Sequence, residues 1–398
     1  MPWMKWLPWR FLIRRVARAR GFLDPVAVLG LLHRFAQPSE VREPVELLRA
    51  GVVFHARGLI NSRVIQHNLD WVWPYWIERQ FDPADDAFVP RAFSITHVNL
   101  THRNWTAIGL PDGRELPLVD PRGLLTPFLD GWSLDAAILA DDGGRLLPSR
   151  AREARQSLGG GDGLSVVTRV GCDGLDLETG ATVEAVNGRA RCQWRLHASA
   201  DRSGWLVVAL RPVNAEGISF IHSVALTPER TGWRIDGERG VSFSEPAERH
   251  HVSNYRLGDV FLHLRDLGDD VKGECDVGMV TAAAMFRLAP GQAREICVEV
   301  PLEEDGEGSA PGVSWTKSLE GRCRLDVPDA DYQALYDAAV KTLILHSPDD
   351  VYPGPYTYKR FWFRDAAFII DGLLAAGLTD RAERALDRFP GYQTANGY

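Results

Sequence analysis

A β-sandwich followed by helices is the fold class this sequence predicts, and three observations predict it. Across residues 93–300 apolar side chains alternate or run together in short stretches, at 165–170, 181–186, 190–197, 205–210, 218–226, 260–264, 280–288 and 295–300. Turn signals divide them: Asn187-Gly188, Asp201-Arg202-Ser203-Gly204, Asp236-Gly237 and Pro290-Gly291. Many short strands at such spacing mean a sandwich, here a large antiparallel one (a supersandwich). Residues 303–312 are then acidic and rich in Gly and Pro, the composition of a linker. Beyond them the apolar period changes from two to 3.6. The expected organisation is a basic, partly helical segment over 1–44, a sandwich over 45–302, a linker over 303–317 and a helical domain over 318–398.

Taken in order, residues 22–36 repeat at helical spacing behind Asp24-Pro25, an N-cap and a first-turn proline. Residues 51–56 and 62–65 read as paired strands around Gly58 and Asn61. Trp71, Trp73, Tyr75 and Trp76 form an aromatic concentration that suits an interdomain seam, with a saccharide-facing surface as the alternative. Gly159-Gly160-Gly161-Asp162-Gly163 is not followed by a helix or by Gly-Lys-Ser/Thr, so it reads as a flexible turn rather than a phosphate loop. After the linker, Tyr332, Leu335, Tyr336, Ala339 and Leu343 share one helical face behind Pro328-Asp329. A second helix over 365–376 stops at Gly377, and a third over 379–389 stops at Pro390-Gly391.

Composition bounds the function. The 398 residues carry a net charge of −8, which gives no bulk electrostatic reason to expect nucleic acid as a partner. Five widely spread cysteines without a Cys-x-x-Cys read as free thiols in a reducing, cytoplasmic setting. His55, His67, His97 and His102 are too loosely spaced for a metal site, and no cofactor is expected. The first twenty residues are basic and aromatic, but Arg interrupts them too often for a signal peptide or a membrane span. Contact with an anionic membrane surface, or docking on the acidic remainder of the chain, are the readings open to that segment.

The chemistry concentrates at residues 356–374, where a loop punctuated by Ser347-Pro348 and Pro353-Gly354-Pro355 turns into an apolar helix. Planar rings stack on apolar faces of sugars or bases, and an adjacent guanidinium and carboxylate offer fixed donors and acceptors to hydroxyls. A packing reading stands beside this one, with Trp362, Phe363 and Phe368 as core and Arg364 and Asp365 as a surface pair. The run Lys359-Arg360-Phe361-Trp362-Phe363-Arg364-Asp365-Ala366-Ala367 resembles the start of a core helix in the glucoamylase-like, six-hairpin (α/α toroid) glycosidases.

That resemblance implies that Arg364 and Asp365 hold the hydroxyls of a terminal glucose-type unit, with Trp362 as a pocket wall and Tyr358 beside it. It also implies that the helices are the first of an incomplete (α/α)6 toroid, a ring that needs on the order of 200 residues. Inversion at a glycosidic bond takes two carboxylates, roughly 6.5–9.5 Å apart. In the family both lie on later helices, and no position here matches either, so no catalytic residue is expected and the isolated chain should be inactive. The expected partners are an α-glucan or related oligosaccharide, and a second chain completing the toroid. The competing reading is a non-catalytic carbohydrate-binding or protein-interaction module that presents Trp71, Trp73, Trp76 or Trp362.

Overall fold

The computed structural model describes residues 45–90, 97, 99, 105–159, 163–302, 314–356 and 358–392. The predicted helix over 22–36, the basic N-terminus and the acidic stretch at 303–312 lie outside the described residues. The chain falls into two compact units, Met1–Ile60 and Asn61–Tyr398, and every described strand belongs to the second.

Helix α1 (Val45–His67) takes the place of the two strands predicted at 51–56 and 62–65. The β-branched residues and Gly58 suggested a hairpin, but tertiary bonding overrides local preference here. Asn61, read as a turn residue, is fully buried. Its amide donates to the carbonyls of His97 (2.9 Å) and Glu216 (3.0 Å), and its Oδ1 accepts from the Ile218 N–H at 2.9 Å. A short helix, α2 (Tyr75–Glu78), follows.

The strands are β1 (Thr106–Ala107), β2 (Leu118–Val119), β3 (Leu125–Thr126), β4 (Ser133–Ala140), β5 (Arg145–Leu146), β6 (Arg155–Leu158), β7 (Val166–Cys172), β8 (Leu175–Val186) and β9 (Arg189–Ala200). They continue as β10 (Gly204–Arg211), β11 (Ser223–Leu226), β12 (Gly232–Ile235), β13 (Arg239–Phe243), β14 (Arg249–Ser253), β15 (Lys272–Glu274), β16 (Thr281–Leu288) and β17 (Arg294–Pro301). Two antiparallel sheets result, in the orders β1-β2-β3-β4-β10-β16-β14, with β5 on β4, and β15-β11-β12-β13-β17-β9-β8-β7-β6. Their inner faces meet in aromatic contacts. Phe286 of β16 lies 5.8 Å from Phe243 of β13, which meets Trp233 edge-on at 4.9 Å. Strands β8 and β9 join at Asn187-Gly188, both at positive φ (51° and 77°), as a two-residue hairpin loop requires. The predicted strand at 218–226 shortens to β11.

The sheets differ in how their outer faces end. In the second sheet β8 alternates buried and exposed positions, the pattern of a face open to water. In the first, β4 is buried along its whole length. Ala137, Leu139, Val207, Ala209, Ala283 and Met285 pack under a cover made of Val72, Val260, Phe261 and Leu264. Val72 thus helps to roof this sheet, and its neighbours Trp71, Trp73 and Trp76 are buried, so none of the three can be presented to a glycan.

An ion pair locks the roof. Arg211 at the end of β10 donates both Nη atoms to Asp259 at 2.6 Å, and Nη2 also donates to the Val72 carbonyl at 2.6 Å. The Val72 N–H returns a bond to Asp259 at 2.8 Å. Asp259 also accepts from the Phe261 N–H, so residues 260–262 form a 3-10 turn where a strand was predicted.

The C-terminal part is helical: α3 (Trp315–Ser318), α4 (Ala330–Leu345), α5 (Phe363–Ala375) and α6 (Thr379–Tyr392). Asp329 caps α4 by accepting from the N–H groups of Asp331 and Tyr332. Between α5 and α6, Gly377 sits at φ 75°; its N–H reaches the Leu374 carbonyl and that of Leu378 reaches Leu373. Those two bonds are a Schellman stop, which needs a residue at ease in the left-handed region. Helix α6 runs past Pro390 to Tyr392, because the Tyr392 ring stacks on Phe361 at 4.0 Å and holds the extra turn. The expected buried face of α4 is not the observed one. Val340, Ile344 and Leu345 are buried, while Tyr332 and Leu335 are about two-thirds exposed (67% and 64%).

Candidate functional site

The loop from Val351 into α5 is irregular, and its position depends on a few anchors. Tyr352 and Tyr356 are buried. The Tyr356 hydroxyl donates to Asp130 Oδ1 at 2.9 Å, and that of Tyr352 to the Leu345 carbonyl at 3.2 Å. The Lys359 ammonium donates to the Arg114 carbonyl. Burial pushes the Lys359 pKa below its usual value, and the Glu115 carboxylate opposes that shift. His346, whose ring lies 5.6 Å from that of Tyr352, is pushed down to about 4, by burial first and by the Lys359 charge second. It is therefore neutral at pH 7.

Trp362 is extended, at φ −138° and ψ 120°, in the N-cap position of α5. Extended backbone sends successive side chains to opposite sides. Phe361 and Phe363 meet Phe389 of α6 edge-on at 5.2 and 5.4 Å. Trp362 turns the other way, its ring 6.0 Å from Tyr358 at 52°. The indole N–H of Trp362 is buried with no acceptor among the described residues. Tyr358 is about half exposed.

Arg364 and Asp365 open the first turn of α5, where a carboxylate is favoured by the unpaired N–H groups and the helix dipole. Their side chains are 3.7 Å apart, with Arg364 84% exposed and Asp365 about one-third exposed. The four residues singled out in the sequence thus make two neighbouring pairs, Tyr358 with Trp362 and Arg364 with Asp365, on one loop-to-helix junction. The packing reading fails for Phe368, which is 73% exposed, whereas Phe363 packs on Phe361 and Phe389 while staying 50% exposed, and Arg364 with Asp365 form the surface pair it expects. Two surface grooves, of about 410 and 780 Å³, are lined by residues of the strands and their loops, and no residue of 352–365 lines either. The junction is an open face.

Sequence reasoning missed what holds this face in place. The loop joining β1 to β2 reaches across to the helices at several points. Arg381 of α6 donates to Asp112 at 2.9 Å and 3.2 Å, and to the Ser347 carbonyl at 2.7 Å. Asp112 itself sits at φ 62°. These partners lie more than 200 residues apart in sequence, at separations of 226 for Tyr356–Asp130, 245 for Lys359–Arg114 and 269 for Arg381–Asp112. No local pattern encodes them; Asp112-Gly113 reads only as a turn.

Among the described residues, no group of three or more His, Cys, Asp or Glu is placed to hold a metal ion. His97, weighed as a possible ligand, is buried and bonded through Nδ1 to Gln80 at 2.9 Å. No described helix is long and apolar enough to cross a membrane.

No protein-family model matches this chain, and no curated protein does. Solved structures do. A bacterial glucoamylase, solved in complex with acarbose, superposes with a TM-score of 0.51 at 10% identity, over 74% of this chain and 51% of its own. A family GH92 α-mannosidase from Bacteroides thetaiotaomicron matches with a TM-score of 0.36 at 13% identity, over 61% of this chain and 38% of its own. The relationship is one of fold, and the chain spans about half the length of the glucoamylase it matches.

Proposed function

We propose that this chain, which shares its fold with half of a bacterial glucoamylase, is the sugar-recognising part of a glycoside hydrolase of the glucoamylase type that acts on α-glucans or related oligosaccharides. The observation that carries the reading is the junction at the N-terminus of α5. Tyr358 and Trp362 form an angled aromatic wall, and Arg364 and Asp365 follow within one turn. A sugar ring laid on the wall would bring its hydroxyls to a charged donor and a charged acceptor, the stronger class of hydrogen bond.

The rest of the reading concerns what this face needs. Hydrolysis with inversion requires an acid and a base on opposite sides of the scissile bond. Asp365 is read as a hydroxyl acceptor beside Arg364, and Asp371 lies exposed further along α5. We assign neither to catalysis; the acid and base come from further helices that pack on α4 and α5, on a second chain or on more of the same polypeptide. By itself the chain binds sugar and does not cleave it. The five unpaired cysteines favour a reducing, cytoplasmic compartment. The openness of the junction favours a second reading, a module that binds a glycan with no hydrolysis in any assembly.

Titration with maltotriose tests the proposal. Wild-type protein should bind, and Arg364→Ala or Asp365→Asn should weaken binding by about tenfold or more while leaving the melting temperature unchanged. Failure of the wild type to bind, or unchanged binding in both variants, would remove the assignment. Adding the further helices that the first reading proposes separates the two readings, since only the first predicts glucose release.

A further inference from the structure

We infer that Lys359 is a positioning residue: its ammonium on the Arg114 carbonyl fixes the Tyr358–Trp362 wall to the loop between β1 and β2. The inference rests on the reading of that wall as a sugar-binding face. Side chains tie the irregular stretch down, and Tyr356, Lys359 and Phe361 among them interleave with the two wall residues. Tyr356 is bonded to Asp130, Lys359 to Arg114, and Phe361 is stacked on Tyr392. Tyr358 lies between the first two ties and Trp362 follows the third.

The backbone adds little of its own, with bonds from Lys359 N to Tyr356 O and from Arg360 N to Tyr358 O at 2.9 and 2.7 Å. The orientation of the wall is therefore set by side-chain ties to other elements. The Tyr356 and Phe361 ties are a neutral hydroxyl and a ring stack. The Lys359 tie is a charge-assisted hydrogen bond, and it lies next to Tyr358.

Its surroundings fit a charge kept for position. Glu115, beside the accepting carbonyl, supplies the opposite charge, and Glu115 itself accepts from the Leu129 N–H at 3.2 Å. His346 lies near Lys359 at the end of α4 and is held neutral by burial and by the Lys359 charge, so it adds no repelling charge there. A side chain that only filled space here would have no use for an ammonium, since burying one without a partner is costly. The same loop bonds Arg381 through Asp112, so the sheet reaches both the wall and the last helix from a single turn.

Amide hydrogen exchange of the intact chain, with Lys359→Met and Lys359→Arg, tests this. Lys359→Met should speed exchange in a peptide covering 356–363 by about tenfold or more, leave peptides of β10 unchanged, and weaken maltotriose binding. Lys359→Arg, which keeps the charge and a donor, should recover most of both. Unaltered exchange at 356–363 in Lys359→Met would overturn the inference, as would a wild-type stretch already exchanging at the unprotected rate. If Lys359→Met does not fold, Glu115→Gln gives the same reading through the counter-charge. Absence of maltotriose binding in the wild type would count against the sugar-binding face alone, because the exchange result still decides the role of Lys359.

Discussion

The outer face of the first sheet and the outer faces of α4 and α5 are both apolar surfaces that this chain builds, and among the described residues only the first is covered. Over the sheet, Val72, Val260, Phe261 and Leu264 close the face, and Arg211 with Asp259, both 1% exposed, lock it. Over the helices, Tyr332, Leu335, Phe368 and Leu374 stand half exposed or more. A covered face contributes to stability from within the chain, whereas an uncovered one is a binding surface or a liability. The sheet face is closed by residues of this chain, and the apolar side chains of α4 and α5 stay exposed among the described residues.

The comparison can be broken most forcefully at the lock. Arg211→Met leaves the Asp259 carboxylate buried without its partner, and should destabilise the chain by about 3–5 kcal/mol in urea unfolding. A loss under about 1 kcal/mol would mean that the roof is held by packing alone.

On the helical side, Arg381→Met removes the donors that hold Asp112 and the Ser347 carbonyl. It should cost about 2–3 kcal/mol, with the loss confined to residues 314–392. Limited proteolysis reads it: cleavage around 303–312 should quicken while a β-rich core survives. Equal loosening of both regions would show that they unfold as one unit.

Acid sharpens the contrast on the sheet side. Burial pushes Asp135 of β4 up to about 6 and Asp120 up to about 7, each from an ordinary 3.8. Both bind a proton more tightly folded than unfolded, so their contribution to stability is full below about pH 4 and falls as pH rises to about 6 and 7 respectively. Exposed carboxylates paired with arginine, such as Asp269 with Arg230, are held low and work in the opposite sense under acid. Asp135→Asn should flatten the fall in melting temperature between pH 4 and 6, a change on the order of 2 kcal/mol. The wild-type slope surviving in that variant would place the titration elsewhere.

The smallest effect is expected where nothing yet covers the chain. Phe368→Asp should change stability by no more than about 0.5 kcal/mol and should improve solubility. A loss above about 1.5 kcal/mol would show that Phe368 is already packed, and the open-face reading of α5 would go with it.

What could be read in the sequence was local. Asn187-Gly188 announced the β8–β9 hairpin because a two-residue loop demands positive φ, and Gly377 announced the end of α5 for the same reason. Tyr358, Trp362, Arg364 and Asp365 were legible together because they are nearly consecutive. Their anchors Asp112, Arg114 and Asp130 were not, since nothing near them in sequence points to a residue more than 200 positions away. Helix α1 was misread for a related reason: Asn61, which locally suggests a turn, serves three backbone groups of residues 97, 216 and 218 that only the folded chain brings near. Trp71 and Trp73 read as an interdomain seam because aromatics bury most area where domains meet, but both are buried within the unit Asn61–Tyr398, and only the folded sheet shows that.

The Arg211 lock also has a consequence for the order in which the chain can fold. Its three participants are separated by 139 residues between Val72 and Arg211 and by 48 between Arg211 and Asp259. The guanidinium belongs to a central strand, so it has no fixed position until β4, β10 and β16 have paired. Closing loops of that length is slow, and stripping water from two charges before their geometry exists is unfavourable. The roof should therefore shut late, after the sheet has formed. The Arg211 guanidinium ends 5.9 Å from the Trp71 ring, so the closing step should carry its own signal, a tryptophan fluorescence change that lags the rise of β-sheet circular dichroism during refolding.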